Sequence, residues 1–281
     1  MELYEIKKFS DNLYRFTDIM LKNVFPISAF LLIGSRKAAL IDSGLGIGNI
    51  RRSVESVTRL PITVLHTHGH MDHIGGDALF EENYINPADE PNENSIESNM
   101  KFIRSLIQSS FPKLFKAFCE SFISPAKASY LPVNDGDSFD LGGIILDTVA
   151  IPGHTAGSLA YVERDGDFAF TGDGIADMHW FDTNEQFNTV GGFYEALKHF
   201  KAKAAGAKLI FASHLHAPFC MDIVNDLIDS AKSILDGSND PIENSDYLFL
   251  KHGDLFANKV GGAKIYYKKE NILFRKTSAL L

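Results

Sequence analysis

Three histidines and one aspartate fall within six residues of this sequence, and their chemistry is the clearest signal that it carries. The run is HGHMDH, residues 68–73, and it directly follows the apolar segment 62–65. Imidazole and carboxylate groups are costly to bury unless they are paired or bound to a metal. They are also the nitrogen and oxygen ligands that zinc and similar divalent cations take. The run therefore predicts a metal centre.

Further polar residues stand directly after predicted strands, most of them beside a glycine. They are Asp42, His154 within the segment 152–158, Asp173, and the pair His214 and His216. Side chains at strand ends converge on one edge of a sheet, where ligand sites of α/β proteins lie. We expect these residues to join the histidine run, and the spacing alone leaves open whether His214 or His216 is the last ligand.

The elements that must position these residues are predicted from hydrophobic periodicity and turn signals. Short strands are expected at 13–16, 29–33, 38–41, 62–65, 138–141, 144–149, 159–162, 168–170, 208–212, 263–267 and 271–274, and helices at about 47–59, 187–203 and 221–235. Strands and helices that alternate in two similar halves predict a layered α/β fold.

The segment from about 87 to 130 has a different texture. It begins acidic and polar, and apolar residues then recur at helical spacing on both sides of Pro112. This pattern predicts a helical pair inserted between strand units, where it could cover the site. Since no linker divides the chain, residues 1–281 are expected to form one domain that carries this insertion.

Composition restricts the class of protein. The chain has 27 Lys and Arg against 36 Asp and Glu, a formal charge of −9, which argues against a nucleic-acid partner. No apolar run reaches membrane-spanning length, and the first residues lack the apolar core of a secretory signal. Cys119 and Cys220 form no CxxC pair and are expected to be apolar fillers. A cytoplasmic protein with no membrane partner is expected.

Several ordered motifs together resemble the metallo-β-lactamase superfamily. They are THGHMDHIGG at 67–76, PGHT at 152–155, TGD at 171–173 and SH at 213–214, with the aspartate-glycine turn at 40–44 before them. The resemblance runs from the first strand through His214 and leaves out the insertion and the tail. Four motifs in the family's order are far more specific than one.

The resemblance implies a four-layer αββα sandwich with a two-metal site at one edge, below the helical insertion. His68, His70 and His154 would hold the first metal, Asp72, His73 and His214 the second, and Asp173 would bridge the two. The strand-Ser-His placement is what favours His214 over His216. The metals would be zinc, with iron or manganese as alternatives.

The same resemblance suggests a mechanism in which a metal-bridging hydroxide attacks an electrophilic carbonyl or phosphoryl centre. Asp72 would orient that nucleophile while it ligates, and Asp42 would fix a ligand imidazole. His179 and Trp180, which follow the Asp173 loop, are candidates for the wall of a substrate pocket. His216 is a candidate for substrate contact or for the solvent-exposed surface.

These expectations describe a hydrolase of a small-molecule ester, thioester, lactone or amide. The chain lacks the basic surface expected of the superfamily's nucleases, and His70 stands where its flavodiiron oxygen reductases carry a glutamate. Two alternatives remain: an iron-dependent oxidoreductase similar to persulfide dioxygenases, and a non-catalytic metal or gas sensor. The substrate and the oligomeric state are not fixed by the motifs.

Overall fold

A computed structural model describes residues 3–23, 25–123, 128–181, 189–243 and 255–272. The strands are β1 Tyr4–Lys8, β2 Leu13–Asp18, β3 Ser28–Ile33, β4 Ala38–Ile41, β5 Ile62–Leu65, β6 Asn83–Ile85, β7 Leu131–Pro132, β8 Ser138–Asp140, β9 Ile145–Ala150, β10 Leu159–Glu163, β11 Phe168–Gly172, β12 Met178–Trp180, β13 Leu209–Ala212, β14 Phe256–Val260 and β15 Ala263–Tyr267. The helices in these ranges are α1 Ile50–Glu55, α2 Met71–Ile74, α3 Glu93–Ser110, α4 Pro112–Ser121, α5 Val190–Lys203 and α6 Asp222–Asp236.

The strands form three sheets. The first has the order β1-β2-β3-β4-β5-β6-β7 and is antiparallel up to β4 and parallel from β4 onward. The second has the order β13-β11-β10-β9-β8, with a parallel pair between β11 and β13. The third is the small sheet β12-β15-β14. In the first two sheets, parallel neighbours bring the carboxyl ends of β4 and β5, and of β11 and β13, to common edges.

The two larger sheets pack face to face around a shared apolar core. Leu32 and Leu65 of the first sheet lie in one cluster with Tyr161 and Phe170 of the second. The outer face of the first sheet packs on α1, and the outer face of the second packs on α5 and α6. The order of layers is therefore helix, sheet, sheet, helix, which confirms the predicted αββα class.

The segment between β6 and β7 contains α3 and α4, as the helical periodicity predicted. Asn92 caps α3 through a capping box with Ser95, and Pro112 occupies the first turn of α4, where its missing N–H costs no hydrogen bond. Ile107 and Phe118 are buried against Ile47, which anchors the helical pair to the loop after β4. None of the helices in the described ranges is long and apolar enough to cross a bilayer.

Several elements differ from the sequence prediction. The helix expected at 47–59 covers only α1, and Ile47, its expected first residue, forms a bridge with Phe122 instead. The last hairpin is β14–β15 rather than β15 with 271–274, since residues 269–271 form a 3₁₀ turn and 273–274 lie outside the described residues. The expected start of α5 at 187–188 also lies outside them. The expectation of buried cysteines was wrong, because both thiols are exposed.

Replacing Phe170 by Ala should destabilise the fold, because this fully buried ring packs on Phe30 and Phe211 between the two sheets. We expect a loss of about 3–5 kcal/mol in the free energy of unfolding, measured by denaturant titration. Phe102→Ala is the control, because Phe102 on α3 is 61% exposed and its removal should change stability by less than about 0.5 kcal/mol. Equal effects of the two changes would contradict this packing.

Candidate metal centre

Strand ends of both large sheets deliver polar side chains to one place. From the first sheet, β4 leads to Asp42, and β5 leads to the loop 66–70 and to α2. From the second sheet, β9 leads to His154, β11 to Asp173 and β13 to His214. The site therefore depends on the face-to-face packing of the two sheets, because neither sheet supplies all of its residues.

A glycine directly before Asp173 permits the close approach of the two sheets here. Gly172 has φ +54°, and a Cβ on it would lie 2.2 Å from the Thr67 hydroxyl oxygen. A side chain at this position would be strained in its backbone and would also collide with Thr67. The TGD motif therefore places its glycine where β11 passes the loop after β5.

The first group of candidate ligands is His68, His70 and His154, whose donor atoms all lie within 4.8 Å of one another. Nδ1 of His70 and Nε2 of His154 are 3.1 Å apart. Two nitrogens on one tetrahedral zinc, each about 2.0–2.1 Å from the ion, would be about 3.3 Å apart. The spacing of these two imidazoles therefore fits a shared cation.

The second group is Asp72, His73 and His214, again with donor atoms within 4.8 Å of one another. Nε2 of His214 lies 3.3 Å from an Asp72 carboxylate oxygen, and Nε2 of His73 lies 3.8 Å from the same oxygen. This set mixes imidazole and carboxylate donors, which suits zinc, iron and manganese. The structure thus brings His214 into the cluster, whereas His216 is exposed.

The carboxylate of Asp173 lies between the two groups. One of its oxygens is 3.1 Å from Nε2 of His214 and 3.7 Å from Nε2 of His154, and the other is 3.5 Å from Nε2 of His73. It therefore contacts an imidazole of the first group and two of the second. A carboxylate in this position can bridge two cations.

Four of the candidate ligand imidazoles have a hydrogen-bonding partner at Nδ1, so that their Nε2 atoms remain to face the other candidate ligands. Nδ1 of His73 lies 2.8 Å from the Asp42 carboxylate, as expected for a group that fixes a ligand imidazole. For the other three, the Nδ1 neighbours are the Pro26 carbonyl at 2.9 Å from His214, the Trp180 carbonyl at 3.2 Å from His154, and the Thr67 hydroxyl at 3.1 Å from His68. These contacts orient the rings before any cation arrives.

Several atoms at the centre of the cluster are buried without a hydrogen bond of acceptable geometry. They include Nε2 of His68, Nε2 of His73 and one carboxylate oxygen of Asp173. Buried polar atoms are normally satisfied, and each exception needs an explanation. A bound cation explains these three, because they face the same space as the other candidate ligands. The residues present therefore fit a metal centre.

Protonation differs between the two groups. Burial and the neighbouring imidazoles lower the pKa of His154 to about 4 and that of His68 well below its usual range. Burial alone would also lower the pKa of His214, but the Asp173 and Asp72 carboxylates raise it to about 10. Asp42 and Asp72 likewise hold the pKa of His73 well above its usual range against the effect of burial. Without a cation, His68 and His154 are therefore neutral at pH 7, whereas His73 and His214 carry protons.

Asp42 adopts a left-handed backbone conformation, φ +59°, which is uncommon for any residue but glycine. Its carboxylate accepts the backbone N–H of Thr67 at 2.8 Å, the Thr67 hydroxyl at 2.8 Å and Nδ1 of His73. These charge-assisted hydrogen bonds offset a backbone cost of about 1 kcal/mol. Asp42 thereby holds the loop that carries the histidine run.

His66 lies beneath this loop and is buried between two carboxylates. Its Nε2 is 3.1 Å from Asp77, and its Nδ1 is 3.8 Å from Asp42. Burial lowers its pKa, but Asp77 and Asp42 raise it to about 9. The Tyr130 hydroxyl donates to the same Asp77 at 2.8 Å, which links the end of the inserted segment to the site.

The three residues predicted for a substrate pocket occupy different surroundings. The Trp180 ring stacks on His70 at 6.1 Å and meets the edge of His154 at 4.7 Å, so it forms a wall beside the first group. His179 is fully buried and stacks on Phe193 at 3.6 Å, beneath the site. His216 is exposed, and its carbonyl accepts a hydrogen bond from Arg15.

Sequence reasoning missed Asp89, Phe25 and Arg15. Asp89 bonds to both histidine-bearing loops, the Phe25 ring stacks on His214 at 4.0 Å, and Arg15 donates to carbonyls of the loop after His214. Asp89 did carry a signal, because it is a polar residue shortly after the parallel strand β6. Phe25 and Arg15 carry none, since each reaches the site across nearly 200 residues of sequence.

A family model described as the metallo-beta-lactamase superfamily matches residues 23–219, more than half of the chain. An uncharacterized protein of Mycobacterium tuberculosis is 31% identical over 147 residues, which cover 48% of this chain and 61% of that protein. The chain thus spans about three fifths of that relative's length. The human mitochondrial persulfide dioxygenase ETHE1 is 28% identical over 74% of this chain and 73% of its own.

The human acyl-coenzyme A thioesterase MBLAC2 is 25% identical, with 63% of this chain and 68% of its own covered. Among solved structures, VMB-1 superimposes with a TM-score of 0.55 at 14% identity, over 83% of this chain and 98% of its own. A metallo-β-lactamase from Erythrobacter litoralis gives 0.54 at 15% identity, with the same coverage. Likeness at this level of identity supports the fold alone.

Metal binding should release protons mainly from the second group. Ligand imidazoles must be deprotonated, and His73 and His214 carry protons at pH 7 because their pKa values are raised. We therefore expect the second metal to release about two protons at pH 7 and its affinity to increase with pH until about pH 10. Calorimetry in buffers of different ionisation enthalpy measures this release. His214→Ala should release about one proton fewer, and identical release from both groups would contradict the assignment.

Proposed function

The chain belongs to the metallo-β-lactamase superfamily, and on that premise we propose that it is a binuclear metal-dependent hydrolase of a small molecule. The observation that carries the proposal is the position of the Asp173 carboxylate, which contacts His154 of the first group and His73 and His214 of the second. A buried carboxylate shared by two ligand sets serves two cations, whereas a single cation needs only one set.

His68, His70 and His154 would hold one divalent cation, and Asp72, His73 and His214 the other, with Asp173 between them. Zinc is the proposed metal. When bound, such cations lower the pKa of water to about 7 and polarise a carbonyl oxygen. Asp72 is half-buried at the edge of the second group, where its carboxylate can accept a hydrogen bond from an attacking water and so orient it.

The Trp180 ring stacks on His70 of the first group, and the Phe25 ring stacks on His214 of the second. Flat apolar walls of this kind exclude water and suit the acyl part of an ester, thioester, lactone or amide. Thioesters come first among these, because one relative is an acyl-coenzyme A thioesterase.

A second candidate activity is iron-dependent oxidation of a persulfide. It is favoured by the 28% identity to human persulfide dioxygenase over 74% of this chain. Such an enzyme would need one iron, held by His68, His70 and His154 or by another of the groups. Metal content separates the two proposals, since the hydrolase predicts two cations per chain and the dioxygenase one iron.

Metal analysis of the purified chain, together with turnover on acyl-thioesters, esters, lactones and amides, tests the proposal. We expect two zinc ions per chain and hydrolysis of at least one class. Iron with oxygen uptake on a persulfide would contradict the proposal and favour the dioxygenase. Two metals without turnover on the panel would also contradict it and favour a sensor.

Asp173→Ala and Asp72→Ala should each reduce metal content and turnover together, because each removes a ligand. The loss of turnover should exceed the ~10–100-fold that removal of an outer hydrogen-bonding partner typically costs. Asp135→Asn is the matched control, because this exposed carboxylate accepts a backbone N–H from Ala150 away from the ligands. Unchanged turnover in Asp173→Ala would contradict the scheme.

A further inference from the structure

Asp89 joins the two loops that carry the first ligand group. It lies in the 3₁₀ turn Pro87–Asp89 that follows β6, at the beginning of the inserted segment. One carboxylate oxygen accepts the backbone N–H of Gly69 at 3.2 Å and the hydroxyl of Thr155 at 2.5 Å. The other accepts the backbone N–H of Gly157 at 2.8 Å. One side chain thus binds the loop after β5 and the loop after β9.

The hydrogen-bond partners of Asp89 adjoin the ligands themselves. Gly69 stands between His68 and His70, and Thr155 directly follows His154. The three histidines of the first group therefore sit on backbone that the Asp89 carboxylate holds on both sides. Hydrogen bonds to an ionised carboxylate are shorter and stronger than neutral ones, so this connection is a firm one.

Glycines on both loops make room for Asp89. A Cβ on Gly69 would lie 2.1 Å from the Asp89 carbonyl oxygen, and a Cβ on Gly157 would lie 2.6 Å from the Asp89 carboxylate carbon. Only a residue without a side chain allows the backbone to approach so closely. The close approach of Asp89 thus explains both Gly69 of the HGHMDH run and Gly157 after GHT.

We infer that Asp89 is a positioning residue that holds His68 and His70 against His154 and so sets the metal affinity of the first group. The inference rests on the proposed function, because it takes these three histidines as ligands of one cation. It also assigns a role to the start of the inserted segment, which supplies this carboxylate to the site.

Asp89→Asn tests the inference with little change in shape. An amide has one acceptor oxygen, and its NH₂ group would face a donor on one of the two loops. We expect the dissociation constant of the first metal to rise about tenfold or more, with the second unchanged. Because Trp180 contacts His70 and His154, quenching of its fluorescence by Co²⁺ reports the first group, and equilibrium dialysis with metal analysis reports total occupancy.

Two further variants sharpen the test. Asp226→Asn is the matched control, because Asp226 on α6 likewise accepts the backbone N–H of a glycine. That glycine is Gly262 in the β14–β15 turn, at 2.7 Å. It should leave both affinities unchanged. Thr155→Val removes the hydroxyl donor to Asp89, together with its hydrogen bond to Ser158, and should weaken the first metal in the same direction. It carries the test alone if Asp89→Asn does not fold.

The outcomes separate this inference from the proposed function. A wild-type chain that binds no Co²⁺ would contradict the proposed function itself. A wild-type chain that binds two, with Asp89→Asn and Thr155→Val binding the first as tightly, would contradict the role of Asp89 alone. Equal weakening of both metals in these variants would also contradict it, because a general structural defect does not distinguish the two groups.

Discussion

The buried carboxylate of Asp173 among several imidazoles is the interaction on which the rest of the site depends. Its oxygens lie 3.1–3.7 Å from ring nitrogens of His214, His73 and His154, which come from both large sheets. A negative charge at this depth is tolerated only with positive partners around it. The pKa of Asp173 is accordingly held well below its usual range, since His214 and His73 outweigh the effect of burial. The packing of the two sheets therefore also brings together the charged groups of the site.

Outer hydrogen bonds give the two ligand groups their different character. The second group is surrounded by carboxylates, because Asp42 holds His73 and Asp72 lies beside His214. The first group is bounded instead by a carbonyl and a hydroxyl on its own imidazoles and by the Trp180 ring. Burial and the neighbouring imidazoles keep His68 and His154 unprotonated and ready to ligate, whereas a cation at the second group must displace protons. The same superfamily motifs therefore produce two groups of candidate ligands with unlike electrostatics.

Local patterns in the sequence were enough to predict the layered fold, and they placed the candidate ligand residues at strand ends. Each candidate ligand follows a short apolar strand, and the ends of neighbouring strands lie at one edge of a sheet. The spacing of polar residues after apolar segments therefore indicates which residues meet. The hairpin strand β14 escaped prediction because Asn258 and Lys259 interrupt its apolar residues, and buried Asn258 is satisfied by Ser230 on α6. Phe25 and Arg15 were missed for a related reason. They contact backbone or ring atoms that are distant in sequence, and hydrophobic periodicity gives no information about such tertiary contacts.

In the proposed centre, the Asp173 carboxylate lies between two cations rather than beside one. Anomalous diffraction from crystals of the metal-loaded chain, collected on both sides of the metal absorption edge, tests it most directly. We expect two peaks about 3.5–4 Å apart, one among His68, His70 and His154 and the other among Asp72, His73 and His214, with Asp173 between them. A single peak at full occupancy, in crystals grown with excess metal, would contradict it.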